Sequence, residues 1–349
     1  MSENLDNINL KKVDAENMFL HIENFSQNCL DAWNQMRDFA PPSFYIKPNK
    51  FVILGMGGSG VSGDVVKDLL RDSNVVLEVV HDYDVPGWVD KDTLVIANSY
   101  SGNTEETLSA FMSAKEKGAK LLVVTTGGKL KMLADKLKVP CIEFHYDAMP
   151  RAAFAHLFVA LLTIFVKIGR LELSDSDFKN SINTLNEYSE KFKISNRTST
   201  NPAKTLANKI YDLTPVIYSS GNLSSVGKRF KEQLNENAKN FAFHEVFPEL
   251  NHNDLEGYHH PKHEIIVLML ESNYDFDRVI KRQNITAEIL RRNKVKFERI
   301  KFLPCDSPLS EILVGTLFGD YVSYYLAILN REDPSSIRNI KYLKSELSK

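Results

Sequence analysis

Residues Phe51–Gly63 read FVILGMGGSGVSG: a short apolar, β-branched run, then Gly55, Gly57, Gly58 and Gly60, then the opening of a helix. Glycine tolerates positive φ and lets the backbone approach an anion closely. The first N–H groups of a helix also lack internal acceptors, so a turn of this composition can cradle a phosphate. Gly55, Gly57 and Gly60 satisfy G-x-G-x-x-G as well. A dinucleotide site, with Asp82 or Glu78 as its ribose acid, therefore competes, as does a tight strand-to-helix turn with no ligand.

Outward from this turn, short β-branched runs alternate with helical stretches. Strands are expected at Phe51–Leu54, Val75–Val80, Thr93–Ala97 and Lys120–Thr125, with Val139–Phe144 as a fifth. Helices are expected at Val61–Arg71, Thr104–Glu116, Lys129–Lys136 and Arg151–Ile168. That alternation is the mark of a parallel α/β sheet. Upstream, Met18, Ile22, Phe25, Cys29, Trp33 and Met36 recur at steps of three and four, which predicts one amphipathic helix over Asp14–Phe39. Downstream, a polar stretch from Leu171 to Ala203, with a helix near Asp177–Phe192 and a turn at Asn201-Pro202, reads as an inter-domain connection. The rhythm then resumes: strands at Pro215–Ser219, Ala242–Val246, Glu264–Leu270 and Val295–Ile300, helices at Ser224–Lys239, Phe276–Arg292 and Leu309–Leu329. Two domains of similar order point to an internal duplication. The expected division is an N-terminal helical extension over 1–48, a first domain over 49–170, a helical connection over 171–202, a second domain over 203–335 and a C-terminal segment over 336–349.

Composition narrows the function classes. The chain has 349 residues, enough for about two domains with substantial cores, and is 43% hydrophobic and 25% charged. Lys and Arg total 43 against 45 Asp and Glu, so no electrostatic case for nucleic acid arises, and Lys228, Arg229 and Lys231 are too few to make one. Cys29, Cys141 and Cys305 are odd in number and far apart, matching neither a disulfide framework nor a zinc set, and a reducing, cytoplasmic setting is expected. Met1–Ala15 lacks the apolar core of a secretory signal. The run Ala152–Val166, interrupted by His156, falls short of the roughly 20 residues a bilayer span needs, so no membrane contact is expected. His259, His260 and His263 are separated by Pro261 with no nearby cysteine, so no metal is expected there.

A second loop adds more. After the strand ending at Ala97 comes Asn98-Ser99-Tyr100-Ser101-Gly102-Asn103-Thr104-Glu105-Glu106-Thr107. Ser99, Ser101 and Thr104 can direct hydroxyl and backbone N–H groups at one anion above the positive end of the following helix. Thr104 can equally be a plain N-cap, and the two roles are compatible. A dinucleotide fold has no need of a serine nest at its third strand, whereas a sugar-phosphate site does.

GMGGSG followed by NSYSGNTEET resembles a sugar isomerase (SIS) domain, whose Ser/Thr loop binds the phosphate of a phosphosugar. The second half reads YSSGNLSSVGKRFKEQLNENAKNFAFHEVFPELNHNDLEGY and the chain closes with IKYLKSEL. From about Phe51 to the C-terminus these motifs are similar to the bifunctional phosphoglucose/phosphomannose isomerases. The resemblance implies two SIS-type three-layer α/β/α domains with mainly parallel sheets, preceded by an N-terminal helix. It implies a hexose 6-phosphate substrate, held by Gly58, Ser59, Ser99, Ser101 and Thr104, with no metal and no cofactor.

Aldose–ketose isomerisation moves a proton between C1 and C2 through a cis-enediol, so it needs one base and a group that stabilises the developing oxyanion. By the resemblance the base is Glu236 of Asn235-Glu236-Asn237-Ala238-Lys239; read without it, Glu236 is a solvated helix residue. Ring opening is assigned in the same way to His252 of Asn251-His252-Asn253, sixteen residues on, reaching the site from the neighbouring subunit of a homodimer. Ile340, Leu343, Lys344 and Leu347 match the family's C-terminal I-x-x-L-K-x-x-L, making Lys344 the second ring-opening candidate. Arg151, after Pro150, matches the position that stabilises the enediolate. The alternatives are a non-catalytic phosphosugar regulator, an NAD-dependent dehydrogenase and an amidotransferase-type hexosamine synthase. A regulator has no use for Glu236 and His252, and the synthase needs an N-terminal cysteine nucleophile.

Overall fold

Two all-parallel sheets form around strands that are runs of Val, Ile and Leu buried on both faces, as continuous apolar strands covered by helices are. The computed structural model describes residues 5–7, 13–259, 264–347 and 349. His260, Pro261 and His263 of the histidine cluster lie outside the described residues. The chain forms two compact units, one of residues 24–183 and one of residues 1–23 with 184–349, and the division falls inside a single helix, Asp175–Phe192.

In the unit 24–183 the strands are β1 (Lys50–Leu54), β2 (Val76–Val80), β3 (Thr93–Ser99), β4 (Lys120–Thr125) and β5 (Cys141–Glu143), in the order β2-β1-β3-β4-β5. Their register pairs Lys50 with Val76 and with Thr93. The helices of this unit include α1 (Gly57–Leu69), which opens directly off the glycine turn, and α2 (Glu105–Glu116), which opens off the Ser/Thr loop. The expected helix Arg151–Ile168 is a 3-10 turn over Pro150–Ala153 followed by an α-helix over Phe154–Lys167.

In the other unit β6 (Thr214–Ser219), β7 (Phe243–Val246), β8 (Ile265–Leu270) and β9 (Lys296–Ile300) take the order β7-β6-β8-β9, which repeats the first four positions of the other sheet. Its helices include α3 (Pro202–Ile210), α4 (Ser224–Glu236), α5 (Asp277–Arg292), α6 (Pro308–Leu329) and α7 (Arg338–Leu347). Among the described residues α6 is the helix long and apolar enough to cross a membrane, and it is wholly buried. It also carries Asp320, paired with Arg229 at 2.9 Å, which marks a core helix.

Three local features depart from the expected pattern. The single helix over Asp14–Phe39 is two, Met18–Glu23 and Phe25–Gln35. Asp14 takes the Met18 and Phe19 N–H groups at 2.8 Å each, which fixes the start of the first helix, and the chain leaves helical geometry at Asn24. The Asn201-Pro202 turn is a helix start: the Asn201 side chain accepts from the Ala203 and Lys204 N–H groups while proline fills the first helical position. Finally α4 ends at Glu236 because Lys239 sits in the left-handed region at φ 52°.

Candidate active site

The glycine turn is dictated by close approaches. A Cβ on Gly60 would lie 2.5 Å from the Gly55 carbonyl and 2.6 Å from the His81 ring, and Gly57 has φ +50°. The Ser/Thr loop is stitched to this turn by Asn98, whose Nδ2 donates to the Ser59 carbonyl at 2.8 Å and to Ser62 Oγ at 2.9 Å. Ser59 Oγ in turn accepts from the Tyr100 N–H at 3.2 Å. Ser99 Oγ donates to Thr104 Oγ1 at 3.2 Å, and Ser101 is exposed. Thr104 occupies the N-cap of α2, yet its side chain makes no capping bond, so the plain-cap reading accounts for its position and not for its hydroxyl. Gly102 holds the loop's shape: φ is +61°, and a Cβ there would come within 1.9 Å of the Gly127 carbonyl.

Arg151 is 4% exposed, although sequence alone allowed an ordinary surface charge. Its Cα would touch a Cβ on Gly58 at 3.3 Å, so a buried guanidinium-bearing residue abuts the turn that opens α1. Arginine stays charged when buried and matches oxyanion geometry. Gly58, Ser59, Ser99, Ser101, Thr104 and Arg151 thus belong to one neighbourhood of this unit. Sequence reasoning gave no role to Asn98 or Tyr100. Tyr100 Oη lies 2.7 Å from the Tyr146 and Ala148 carbonyls and accepts from the Ala148 N–H, tying the loop to the segment that leads into Arg151. The available signal was that Asn98 follows directly on a buried apolar run, where a polar side chain must find partners.

In the second unit every polar neighbour of Glu236 in the NENAKN stretch has a structural task. Asn235 Oδ1 accepts from the Ala242 N–H, Asn237 Nδ2 donates to Ser323 Oγ, and Asn240 Nδ2 donates to the Leu213 carbonyl. Lys239 Nζ donates to the Glu236 and Asn237 carbonyls and to that of Asp333. Glu236 itself is half-buried and lines a cleft of about 310 Å³ with Asn235, Lys239, Glu332 and residues 336–340. Four residues before it on α4, Glu232 has its carboxyl pushed up by burial, with Glu236 adding to the shift and Lys228 and Arg229 opposing it. Lys344 is exposed on α7, one turn beyond Ile340, which lines that cleft; Lys344 itself does not. His252 is exposed at the end of a 3-10 turn, Glu249–His252, and is not among the cleft's lining residues.

The family model described as SIS domain matches residues 44–140, and that described as bacterial phospho-glucose isomerase C-terminal SIS domain matches residues 199–347. The chain is 38% identical over 305 residues to the bifunctional phosphoglucose/phosphomannose isomerase of Caldicellulosiruptor bescii, covering 86% of this chain and 90% of that one. It is 34% identical to the enzyme of the same name from Thermoplasma volcanium, covering 93% and 99%. Among solved structures, tagatose-6-phosphate ketose/aldose isomerase from Escherichia coli superposes with a TM-score of 0.74 at 11% identity, over 92% of this chain and 95% of that one, a likeness of fold. Two SIS-type parallel-sheet units and near full-length similarity place this chain in the bifunctional phosphoglucose/phosphomannose isomerase family.

Proposed function

We propose that this protein interconverts glucose 6-phosphate and fructose 6-phosphate, and mannose 6-phosphate and fructose 6-phosphate, without a metal ion or organic cofactor, in the cytoplasm. The observation that carries the reading is the glycine turn and Ser/Thr loop stitched together by Asn98 beside buried Arg151. Helix N-terminal N–H groups, hydroxyls and a guanidinium together suit a phosphate and the oxyanion of a sugar. In this reading Gly58, Ser59, Ser99, Ser101 and Thr104 hold the phosphate, and Arg151 stabilises the enediolate.

Glu236 is the base that carries the proton between C1 and C2. Its half-buried carboxylate in a cleft is better suited to that task than a solvated one. His252 and Lys344 open the ring, one group taking the C1 hydroxyl proton and the other protonating the ring oxygen. The exposure of His252, and its place outside the Glu236 cleft, support a homodimer in which the histidine serves the partner's site. Dual specificity follows if the sugar turns about C2–C3 so that either C2 epimer offers its proton to one base.

The test is a coupled assay for fructose 6-phosphate, with glucose 6-phosphate and mannose 6-phosphate supplied separately and EDTA present throughout. Turnover of both substrates is expected. Turnover of glucose 6-phosphate alone defeats the dual specificity, and sugar-phosphate binding without turnover moves the chain to the regulator class.

A further inference from the structure

We infer that Tyr258, Tyr218 and Asp254 form a clamp that positions His252 for ring opening; the inference rests on reading His252 as the ring-opening group. His252 is exposed, so packing of its own ring within the protomer does little to set where the imidazole stands. Its backbone is held from both sides instead. On the N-terminal side Asn251 Nδ2 donates to Thr286 Oγ1 at 2.9 Å, and Arg282 Nη1 approaches Asn251 Oδ1 at 3.4 Å, fastening the loop to α5. On the C-terminal side Asn253 Oδ1 accepts from the Asp254 N–H at 2.6 Å, and Tyr218 Oη donates to Asp254 Oδ2 at 2.9 Å. Tyr218 Oη is also 2.5 Å from Tyr258 Oη, and since Tyr218 gives its proton to Asp254, Tyr258 is the donor in that pair.

The clamp is rigid at its root. Tyr218 is fully buried on β6, and Tyr258 is buried with Phe247 and Leu250 in one apolar cluster. Burial pushes the Tyr258 phenol up to about 12 and the Tyr218 phenol higher still, so both keep their protons at neutral pH and the donor order holds. Two buried phenols end to end on one carboxylate are more than a four-residue helical turn, Asp254–Gly257, needs for its own stability. What they fix is the direction in which the chain leaves His252. A misplacement of about 1 Å in a reacting group can cost on the order of a hundredfold in rate.

The experiment separates ring opening from proton transfer. Anomerisation of glucose 6-phosphate, followed by exchange NMR, needs the ring to open and close and needs no proton transfer at C2. In Tyr218→Phe and Asp254→Asn, anomerisation and isomerisation should fall together by about tenfold, with KM held within about twofold. Adding Tyr218→Phe to His252→Ala should cost nothing further, because a positioning residue acts only through the group it positions. Wild-type anomerisation in both single variants, or losses that multiply in the double variant, overturns the clamp. Should Tyr218→Phe fail to fold by circular dichroism, Asp254→Asn, which keeps the side chain's shape, carries the same comparison. A wild-type protein that does not anomerise, or a His252→Ala variant that does so at full rate, defeats the ring-opening reading itself and the clamp with it.

Discussion

At the carboxyl ends of β1 and β3 the linking groups are neutral: the Asn98 amide, the Ser59 and Thr104 hydroxyls, and glycine backbone beside buried Arg151. At the carboxyl ends of β6 and β8, the topologically matching strands, carboxylates hold that place. Ser220 Oγ and Gln283 Nε2 both donate to Asp275 Oδ2, at 2.6 and 2.8 Å. Glu311, fully buried, accepts from Ser272 Oγ, the Asn273 N–H and Asn273 Nδ2. Burial pushes the Glu311 carboxyl up even though those bonds pull it down. Donors that could receive a phosphate are thus spent on the protein's own acids. One topology therefore carries, in the function proposed above, an anion cradle in one unit, and in the other a crevice whose donors its own acids occupy, so that a site follows the side chains and not the fold.

The proposed function separates binding from proton transfer, assigning phosphate to the glycine turn and Ser/Thr loop and the base to Glu236. Glu236→Gln is expected to lower isomerase turnover by about 10²–10⁴-fold while the Kd for glucose 6-phosphate moves less than about twofold. Anomerisation should survive in the same variant. A Kd that collapses along with turnover would mean that Glu236 takes part in binding as well as in proton transfer, against the proposed division of tasks.

The next effect compares two glycines that each stand fourth in the helix after their unit's first strand, Gly60 in α1 and Gly227 in α4. A Cβ on Gly60 meets the Gly55 carbonyl at 2.5 Å, a backbone atom that cannot retreat without opening the cradle. A Cβ on Gly227 meets His244 Nε2 and Ser219 Oγ at 2.6 Å, both side-chain atoms. Gly60→Ala should therefore cost about 3 kcal/mol and Gly227→Ala about 1 kcal/mol. If the cradle binds phosphate as proposed, inorganic phosphate should raise the Tm of the wild type and of Gly227→Ala but not that of Gly60→Ala. Equal costs, or a phosphate-stabilised Gly60→Ala, would show that the two turns are alike after all.

How much of this could be read in advance depends on which residues carry local signals. The strands were legible because buried parallel strands are continuous runs such as Leu94–Ala97, and the glycine turn because its spacing leaves few alternatives. Asn201-Pro202 misled because the pair opens turns and helices alike, and only the Asn201 bonds to Ala203 and Lys204 decide between them. The fate of the N-terminus was illegible for a tertiary reason: buried Lys204 donates to the Leu5, Ile194 and Asn196 carbonyls, which holds Leu5 within the second unit. In the site, the Ser/Thr loop announced itself by composition. Glu236 without a family resemblance is one helix glutamate among many, and its cleft is made by residues 332–340, a hundred positions away. Asn98, Tyr100 and Tyr218 act through bonds to distant segments, which no local pattern encodes.

The smallest effect concerns His244, which sits behind the second unit's glycine. Its ring is hydrogen-bonded to Ser219 Oγ at 2.7 Å. Burial, with Lys228 and Lys231 adding to it, holds its pKa down to about 4 from the ordinary 6.5. Between about pH 6.5 and 4 the unfolded chain therefore carries a proton at this position that the folded chain refuses. The stabilisation from a neutral His244 is complete above that window and is lost as the pH falls through it. Allowing for the ring's partial exposure, the loss is about 1–2 kcal/mol. His244→Gln removes the titration, so its Tm should decline less than the wild type's between pH 6.5 and 4 and run parallel to it above pH 7. Parallel curves throughout the acid window would mean that His244 charges inside the fold, and that the second unit's crevice, already rich in carboxylates, accepts a cation beside Ser219.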